Sequence, residues 1–390
     1  MKRWMALLLS LFLWLTGCGA APPPAGEEPK AAEPAFVRAV WMPYMEVEPF
    51  LSGGDPALCR QAIADAMEDC VSRGINTVYF HVRANSDAYY ASSVYPPHPL
   101  AVALLEKGFD PLTVAVEEAH ARGLALHAWV NPYRIGAEVS RARTEEIFEV
   151  SGRYYYVPSA ESTHTLVVNG VRELVNGYAI DGVHFDDYFY PSAAVTAESP
   201  APFEQEAYGR YREEGGTSSV ADWRRQKVSA LMAAVYAVCH GRDGCVFGVS
   251  PSYDIDRVRE EQYADGAEWI RTRGYVDYLC PQLYVGLSHQ HAPFEREAAR
   301  WRTLPRDESV ALYAGLALYK TGLPDDTYAG SGGAEWAQGG DIIARQAVLV
   351  RDSGWDGMAL YSHLSFRADG ERDAAVVQAE TEALLALWAE

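Results

Sequence analysis

The sequence predicts a (β/α)8 barrel, one closed parallel sheet wrapped by helices. Eight short runs rich in β-branched and aromatic residues recur from residue 36 onward, with helical patterns between them. Eight is also the number at which a parallel sheet closes on itself. The alternative, an open doubly wound sheet, normally carries a Gly-rich phosphate turn after its first strand. The stretch "WMPYMEVEPFLSGG" at 41–54 is not one.

In chain order the predicted strands are "FVRAVW" (36–41), "INTVYFHV" (75–82), "LALHAWV" (124–130), "GVHFD" (182–186), "VFGVS" (246–250), "VDYLCPQLY" (276–284), "VALYAGLALY" (310–319) and "MALYSH" (358–363). The helical patterns "PALCRQAIADAMEDCVSRG" and "PLTVAVEEAHARG" each open on proline near the first turn and close on glycine just past the end. "ADWRRQKVSALMAAVYAVCHG" also closes on glycine, and a last helix is expected near 373–388. Residues 131–180 are too long for a simple connection and are expected to build part of a cleft wall.

The start, "MKRWMALLLSLFLWLTGC", is a short basic segment followed by an apolar run too brief for a membrane span. Its end, Leu15-Thr16-Gly17-Cys18, resembles the bacterial lipoprotein signal, which implies cleavage before Cys18 and a lipid on its thiol. Residues 1–17 thus read as signal peptide, 18–35 as an Ala/Pro/Glu-rich tether and 36–390 as the barrel. The placement implied is outside the cytoplasm, anchored to a bacterial membrane. A formal charge of -20 offers no basic stripe for nucleic acid. The five later cysteines are scattered and form neither a disulfide framework nor a zinc pattern, although Cys239 and Cys245 are close enough in sequence to bridge in an oxidising compartment.

Alternation along the strands sorts the polar residues. Tyr79, His81 and Arg83 share one face of the second strand. His127, Trp129 and Asn131 share one face of the third, His184 and Asp186 of the fourth, and Tyr278, Cys280, Gln282 and Tyr284 of the sixth. A barrel lumen built only for stability favours branched apolar residues, so polar groups rising toward the C-terminal strand ends mark a site. Asp186 and His184 are expected to point to the axis at the barrel mouth, His184 as a hydrogen-bonding group of the site and Asp186 as a functional carboxyl or, alternatively, a buried structural partner of Arg83 or His184. Asp187 has the opposite parity and either faces the site or caps the next turn. Arg83, His81, Asn131 and Arg134 are expected to orient hydroxyls or stabilise charge, with Gln282 and Tyr284 on the floor. Tyrosines at loop positions, among them Tyr133, Tyr188 and Tyr190, suit the apolar faces and hydroxyl rims of sugars. No metal or other cofactor is expected: "HQH" at 289–291 reads as a solvated loop, and the His-x-His pair of barrel metallohydrolases is missing. "GVSPS" lacks the Gly-x-Ser-x-Gly elbow of serine hydrolases.

Taken in order, "RAVWMP", "INTVYFHVRANSDAYYAS", "LALHAWVNPYRI", "YAIDGVHFDDYFYP", "DWRRQKV", "FGVSP", "VDYLCPQLYVG" and "YAGLALYK" resemble the glycosyl-hydrolase-like 10 family of bacterial lipoproteins, from about residue 36 to 366. The resemblance implies a barrel glycoside hydrolase acting outside the cytoplasm on a polysaccharide, with peptidoglycan glycan strands among the substrates. "GVHFD" is also similar to the Gly-x-Arg-x-Asp of α-amylase-type barrels, which implies Asp186 as nucleophile and His184 in the arginine's place. The chitinase-type strand is a weaker likeness, because Tyr188 stands where its acid would be. Three positions depart from the family pattern: Val157-Pro158-Ser159 for Asn-Pro-Gly, Lys227 for asparagine, and Val285 for tryptophan.

Glycosidic hydrolysis needs two carboxyl groups. Asp186 is one. The second is open between Asp187, Asp254 after the fifth strand and Glu46 after the first. The rival class is a tethered carbohydrate-binding barrel whose catalytic pair has decayed.

Overall fold

The computed structural model describes residues 36–389; the signal segment, the tether and Cys18 lie outside them. Eleven strands are described: β1 (Val37–Met42), β2 (Thr77–Arg83), β3 (Ala125–Val130), β4 (Arg134–Gly136), β5 (Ile147–Val150), β6 (Arg153–Tyr156), β7 (Gly182–Phe185), β8 (Val246–Val249), β9 (Tyr278–Leu279), β10 (Ala311–Leu316) and β11 (Gly357–Tyr361). Eight of them close a parallel barrel in the order β1-β11-β10-β9-β8-β7-β3-β2. Each predicted strand has its counterpart, but β9 is cut to two residues because Pro281 has no N–H for the ladder. Beyond it Gln282 makes only isolated bridges, to Ser252 and Gly315.

Local chemistry places the helices. Asp55 and Asp110 accept hydrogen bonds from the first free backbone N–H groups of Pro56–Ser72 and Pro111–His120, each with proline in its first turn. Gly74 and Gly123 follow with φ of 70° and 71°, the left-handed geometry that ends a helix. Alternation then divides the apolar residues. Val78, Phe80, Val82, Leu126, Ala128, Val183 and Phe185 pack outward under the helices. Val37, Ala39, Trp41, Tyr79, Trp129, Tyr278, Cys280 and Ala359 form a separate cluster inside the barrel.

That inner cluster holds large rings, so its neighbours must be small. A Cβ on Gly248 would lie 1.9 Å from the Tyr278 ring, and one on Gly182 would lie 2.9 Å from His127. The glycines make room for the rings.

The long segment after β3 folds into a three-stranded antiparallel sheet in the order β4-β6-β5, followed by the helix Glu161–Gly177. The β5–β6 hairpin turns on Ser151 and Gly152, both at positive φ, as a two-residue turn that follows strand twist requires. Phe148 of this sheet stacks on Phe203 at 4.2 Å and so couples the insertion to the loop after β7.

Replacing Gly248 by alanine is expected to lower stability by about 2 kcal/mol or more, through overpacking against Tyr278. Gly177→Ala, where nothing lies within 4 Å of the added carbon, is expected to leave the unfolding midpoint near wild type. Urea titrations of both variants check this, and equal midpoints would show that the lumen has slack.

Candidate active site

Inside the barrel the polar side chains form a directed chain. The Trp41 indole Nε1–H donates to His184 Nε2 at 3.0 Å, so the His184 proton sits on Nδ1. That Nδ1–H meets Tyr278 Oη at 2.9 Å, and the Tyr278 hydroxyl in turn meets His127 Nδ1 at 2.9 Å. Burial pushes the His127 pKa down to about 4 and holds His184 well below the usual imidazole range. Both imidazoles are therefore neutral, which the alternating donors and acceptors require. Tyr79 stacks on His184 at 4.1 Å from the other side. His184 is thus a fully bonded lumen group. It makes no hydrogen bond to Asp186.

One layer higher, His81 stacks on Trp129 with centroids 3.8 Å apart, and Trp129 Nε1–H donates to Asp186 Oδ2 at 3.2 Å. The backbone N–H of Tyr188 donates to Asp186 Oδ1, also at 3.2 Å. The carboxyl is buried at the end of β7. Burial first, and the charge of Asp187 second, raise its pKa well above the ordinary value; Tyr188 N–H, Trp129 and Arg134 pull the other way. Asp187 is half-buried beside it, and its pKa is also raised by burial and lowered by a hydrogen bond from Gln282. Two carboxyl groups in one poorly solvated place cannot both ionise freely, and the larger shift toward the protonated form falls on Asp186.

The surroundings of this pair come from several loops. Arg134 at the start of β4 lies 5.2 Å from the Tyr188 ring, which is 42% exposed at the mouth. Gln282 Nε2 also donates to Ser250 O at 3.1 Å. Tyr284, Tyr319 and Tyr361 form a triangle with centroids 5.8 Å apart on each side, and Trp41 closes onto Tyr361 at 6.0 Å. His81 accepts the Tyr44 N–H on Nδ1 at 3.2 Å, and its buried Nε2 has no hydrogen-bond partner. Asn131 Nδ2 donates to Ala84 O, which ties the tops of β2 and β3 together.

Four expected site residues are elsewhere. A β-bulge between His81 and Arg83 shifts the register, so Arg83 pairs with the outward-facing Val130. Its guanidinium lies over Tyr95 at 4.5 Å and donates to Asn85 O and Pro132 O. Tyr133 is buried in the outer core. Tyr190 donates its hydroxyl to Glu204 Oε1 at 2.7 Å. Asp254 caps the helix Ile255–Glu261, accepting from Asp256 N and Arg257 N, and lies 3.9 Å from Arg300. Glu46 is also committed: it accepts from Ser362 Oγ and Leu364 N, burial raises its pKa, and His363 stands 3.7 Å away. His289 of the "HQH" stretch is buried rather than solvated, its Nδ1 accepting from His291 N and Ala292 N. Cys239 and Cys245 are both buried free thiols.

The sequence reading passed over Trp41, Trp129, Tyr319 and Tyr361 as site residues. Trp129 had the right parity; what hid its role is that an indole N–H reads as apolar filling until its partner is placed.

The loop that carries Asp187 and Tyr188 is anchored by a buried ion pair. Arg224 and Glu204 are both fully buried and meet at 2.6 Å. Arg224 also donates to Thr196 O, Ser199 O and the Tyr263 hydroxyl, and Glu204 takes Tyr190 and Ser159. Every strong donor and acceptor is used, the condition under which such a pair fixes a conformation.

A model of the family described as Glycosyl hydrolase-like 10 matches residues 36–329. Glycosyl hydrolase DigH of Escherichia coli K12 is 30% identical over 376 residues, 82% of this chain and 83% of that one. Glycosyl hydrolase YngK of Bacillus subtilis is 30% identical over 315 residues, 73% of this chain and 61% of its own. Among solved structures, the PgaB glycoside hydrolase domain from Bordetella bronchiseptica superposes with a TM-score of 0.55 at 14% identity, over 85% of this chain and 96% of that one. The catalytic domain of β-amylase from Paenibacillus polymyxa gives 0.56 at 10% identity, over 90% and 98%. At these identities the two structures share the fold.

Asp187→Asn removes the neighbouring charge that helps to raise the Asp186 pKa, so Asp186 is expected to titrate at lower pH in the variant. Carboxyl carbon NMR reads this directly, and an unmoved titration would show that burial alone sets it. Glu204→Gln leaves Arg224 buried without a counter-charge and is expected to cost about 3–5 kcal/mol, measured by urea unfolding.

Proposed function

This chain belongs to the glycosyl hydrolase-like 10 family, and from that premise we propose that it hydrolyses O-glycosidic bonds of a polysaccharide, with peptidoglycan glycan strands as the first substrate to test. The observation that carries the proposal is the Asp186–Asp187 pair at the end of β7, the first buried and the second half-buried, flanked by a tyrosine floor. In this reading Asp186, whose pKa burial and the neighbouring Asp187 raise well above the ordinary value, gives its proton to the leaving oxygen. Asp187, oriented by Gln282, carries the negative charge that faces the developing oxocarbenium ion or activates water. Arg134 stands at the rim over the Tyr188 ring, where its charge acts on Asp186. The rings of Tyr188, Tyr284 and Tyr361 offer flat faces to the sugar. The assignment revises the nucleophile role that the α-amylase likeness implies for Asp186, because a carboxyl whose pKa is raised this far is a better acid than nucleophile.

We also propose that Cys18 carries a lipid that holds the barrel outside the cytoplasm at a bacterial membrane. Leu15-Thr16-Gly17-Cys18 supports this part. A second reading, a barrel that binds glycan without cutting it, is favoured by one observation: Asp254 and Glu46 are both engaged elsewhere, which leaves the adjacent Asp187 as the partner of Asp186.

The test incubates the full-length protein with purified cell-wall glycan strands, with and without stem peptides, and reads products by mass spectrometry. Fragments are expected from wild type and not from Asp186→Asn, while both bind the strands. Binding without fragments from wild type establishes the binding barrel instead. A stability measurement runs in parallel. The folded pKa of Asp186 lies above its unfolded value, so the native state holds the extra proton and loses stability as pH rises from the ordinary carboxylate range to that folded pKa. Asp186→Asn removes this loss, so its melting temperature is expected to exceed wild type by a margin that grows over the same rise in pH.

A further inference from the structure

Of the exposed large apolar side chains among the described residues, two are aromatic, Tyr188 and Tyr328. Both stand on loops that leave the C-terminal ends of barrel strands, the end that carries Asp186. Tyr188 follows β7 and borders the carboxyl pair. Tyr328 lies between β10 and β11 and is 84% exposed, with Ala329 next to it fully buried. The aliphatic members of the exposed set include Leu58, Val71 and Leu385, on helices of the outer ring.

The backbone under Tyr328 is clamped. Asp326 Oδ1 accepts from Tyr328 N at 3.3 Å, and Asp326 O accepts from Ala329 N at 2.9 Å. Gln290 N, from the loop after β9, donates to Ala329 O at 2.9 Å. The Lys320 ammonium joins this loop to the floor of the site: it pairs with Asp326 Oδ2 at 2.6 Å and donates to Tyr284 O at 2.9 Å. Tyr319, one residue before it, is a corner of the tyrosine triangle beside Asp187. The chain of contacts from Asp187 through Gln282, Tyr284 and Lys320 to Asp326 is continuous, so Tyr328 is held in a set relation to the carboxyl pair. A large ring held out in water on a clamped backbone gains nothing from packing within this chain, and its flat face is free to stack on a ligand.

We propose that Tyr328 is an outlying sugar-binding platform, stacking on a unit of the same glycan chain whose scissile bond lies at Asp186 and Asp187, so that the protein prefers long chains to short ones. The inference rests on the glycan reading above and adds a second contact to it. A chain long enough to reach both places gains the stacking contact, whereas a short oligosaccharide held at the carboxyl pair does not reach it.

The test compares full-length wild type, Tyr328→Ala and Tyr328→Trp on peptide-free cell-wall glycan strands and on a tetrasaccharide cut from them. Retardation in affinity electrophoresis gives binding, and product release gives KM. Tyr328→Ala is expected to weaken long-strand binding about fivefold, with a matching rise in KM, and to narrow the preference for long strands over the tetrasaccharide by about the same factor. Tyr328→Trp is expected to restore both. Equal retardation of wild type and Tyr328→Ala, an equal loss at both chain lengths, or no binding of strands by wild type overturns the platform. The two proposals separate cleanly. Strands that are bound but uncut, and released more easily by Tyr328→Ala, support the platform and defeat hydrolysis. Strands that are cut equally by both proteins leave hydrolysis standing and remove the platform.

Discussion

An eight-stranded barrel has an interior that side chains must fill, and here the filling centres on Tyr278. Its ring occupies space that any side chain on Gly248 would take, and its hydroxyl joins His184 to His127. His184 in turn accepts from Trp41 and stacks under Tyr79, so β1, β2, β3, β7 and β9 all meet through one hydroxyl and two neutral imidazoles. Polar atoms at this depth are tolerable because each hydrogen bond has a defined direction and the histidines stay uncharged. The layer above inherits its position. Trp129 and His81 stack on this filled lumen, and Trp129 reaches Asp186 from there.

The acidity of the site follows from that arrangement. Asp186 is sealed against an indole and one backbone N–H, with a second carboxyl beside it. Arg134 and Gln282 oppose the effect without cancelling it. A carboxyl surrounded by more donors would have a lower pKa and stay ionised. Asp186 is buried and feels the charge of Asp187, whereas Asp187 is half-buried and takes the Gln282 amide, so two chemically identical groups become unlike. The long excursions after β3 and β7 supply the walls. Their shared supports are the Phe148–Phe203 stack and the buried Glu204–Arg224 pair, which engages Ser159 on one side and Tyr190 and Thr196 O on the other.

The points where sequence reading and structure part are local. Arg83 had the parity of His81, and a bulge of one residue sent it to the outer layer. Tyr190 and Tyr133 looked like sugar platforms because a tyrosine in a loop carries no mark of which way it faces. Asp254 looked like a second acid because it follows a barrel strand, yet it sits one residue before the helix Ile255–Glu261, where a short carboxylate is an effective cap. The hairpin inside the insertion had a visible signal, Ser151-Gly152 between runs of apolar and aromatic residues.

The sequence by itself determined the barrel, its eight strands and the inward face of His184, Asp186 and Tyr278. Period-two alternation and the proline and glycine punctuation of helices are local properties, written within a dozen residues. Tertiary structure decided which polar groups are spent on one another and which remain for a ligand. The pairing of Trp41 with His184, of Trp129 with Asp186 and of Lys320 with Tyr284 spans separations of 143, 57 and 36 residues. No local pattern encodes such partners, because a hydrogen bond depends on where two chain segments finally stand and not on what surrounds either in sequence.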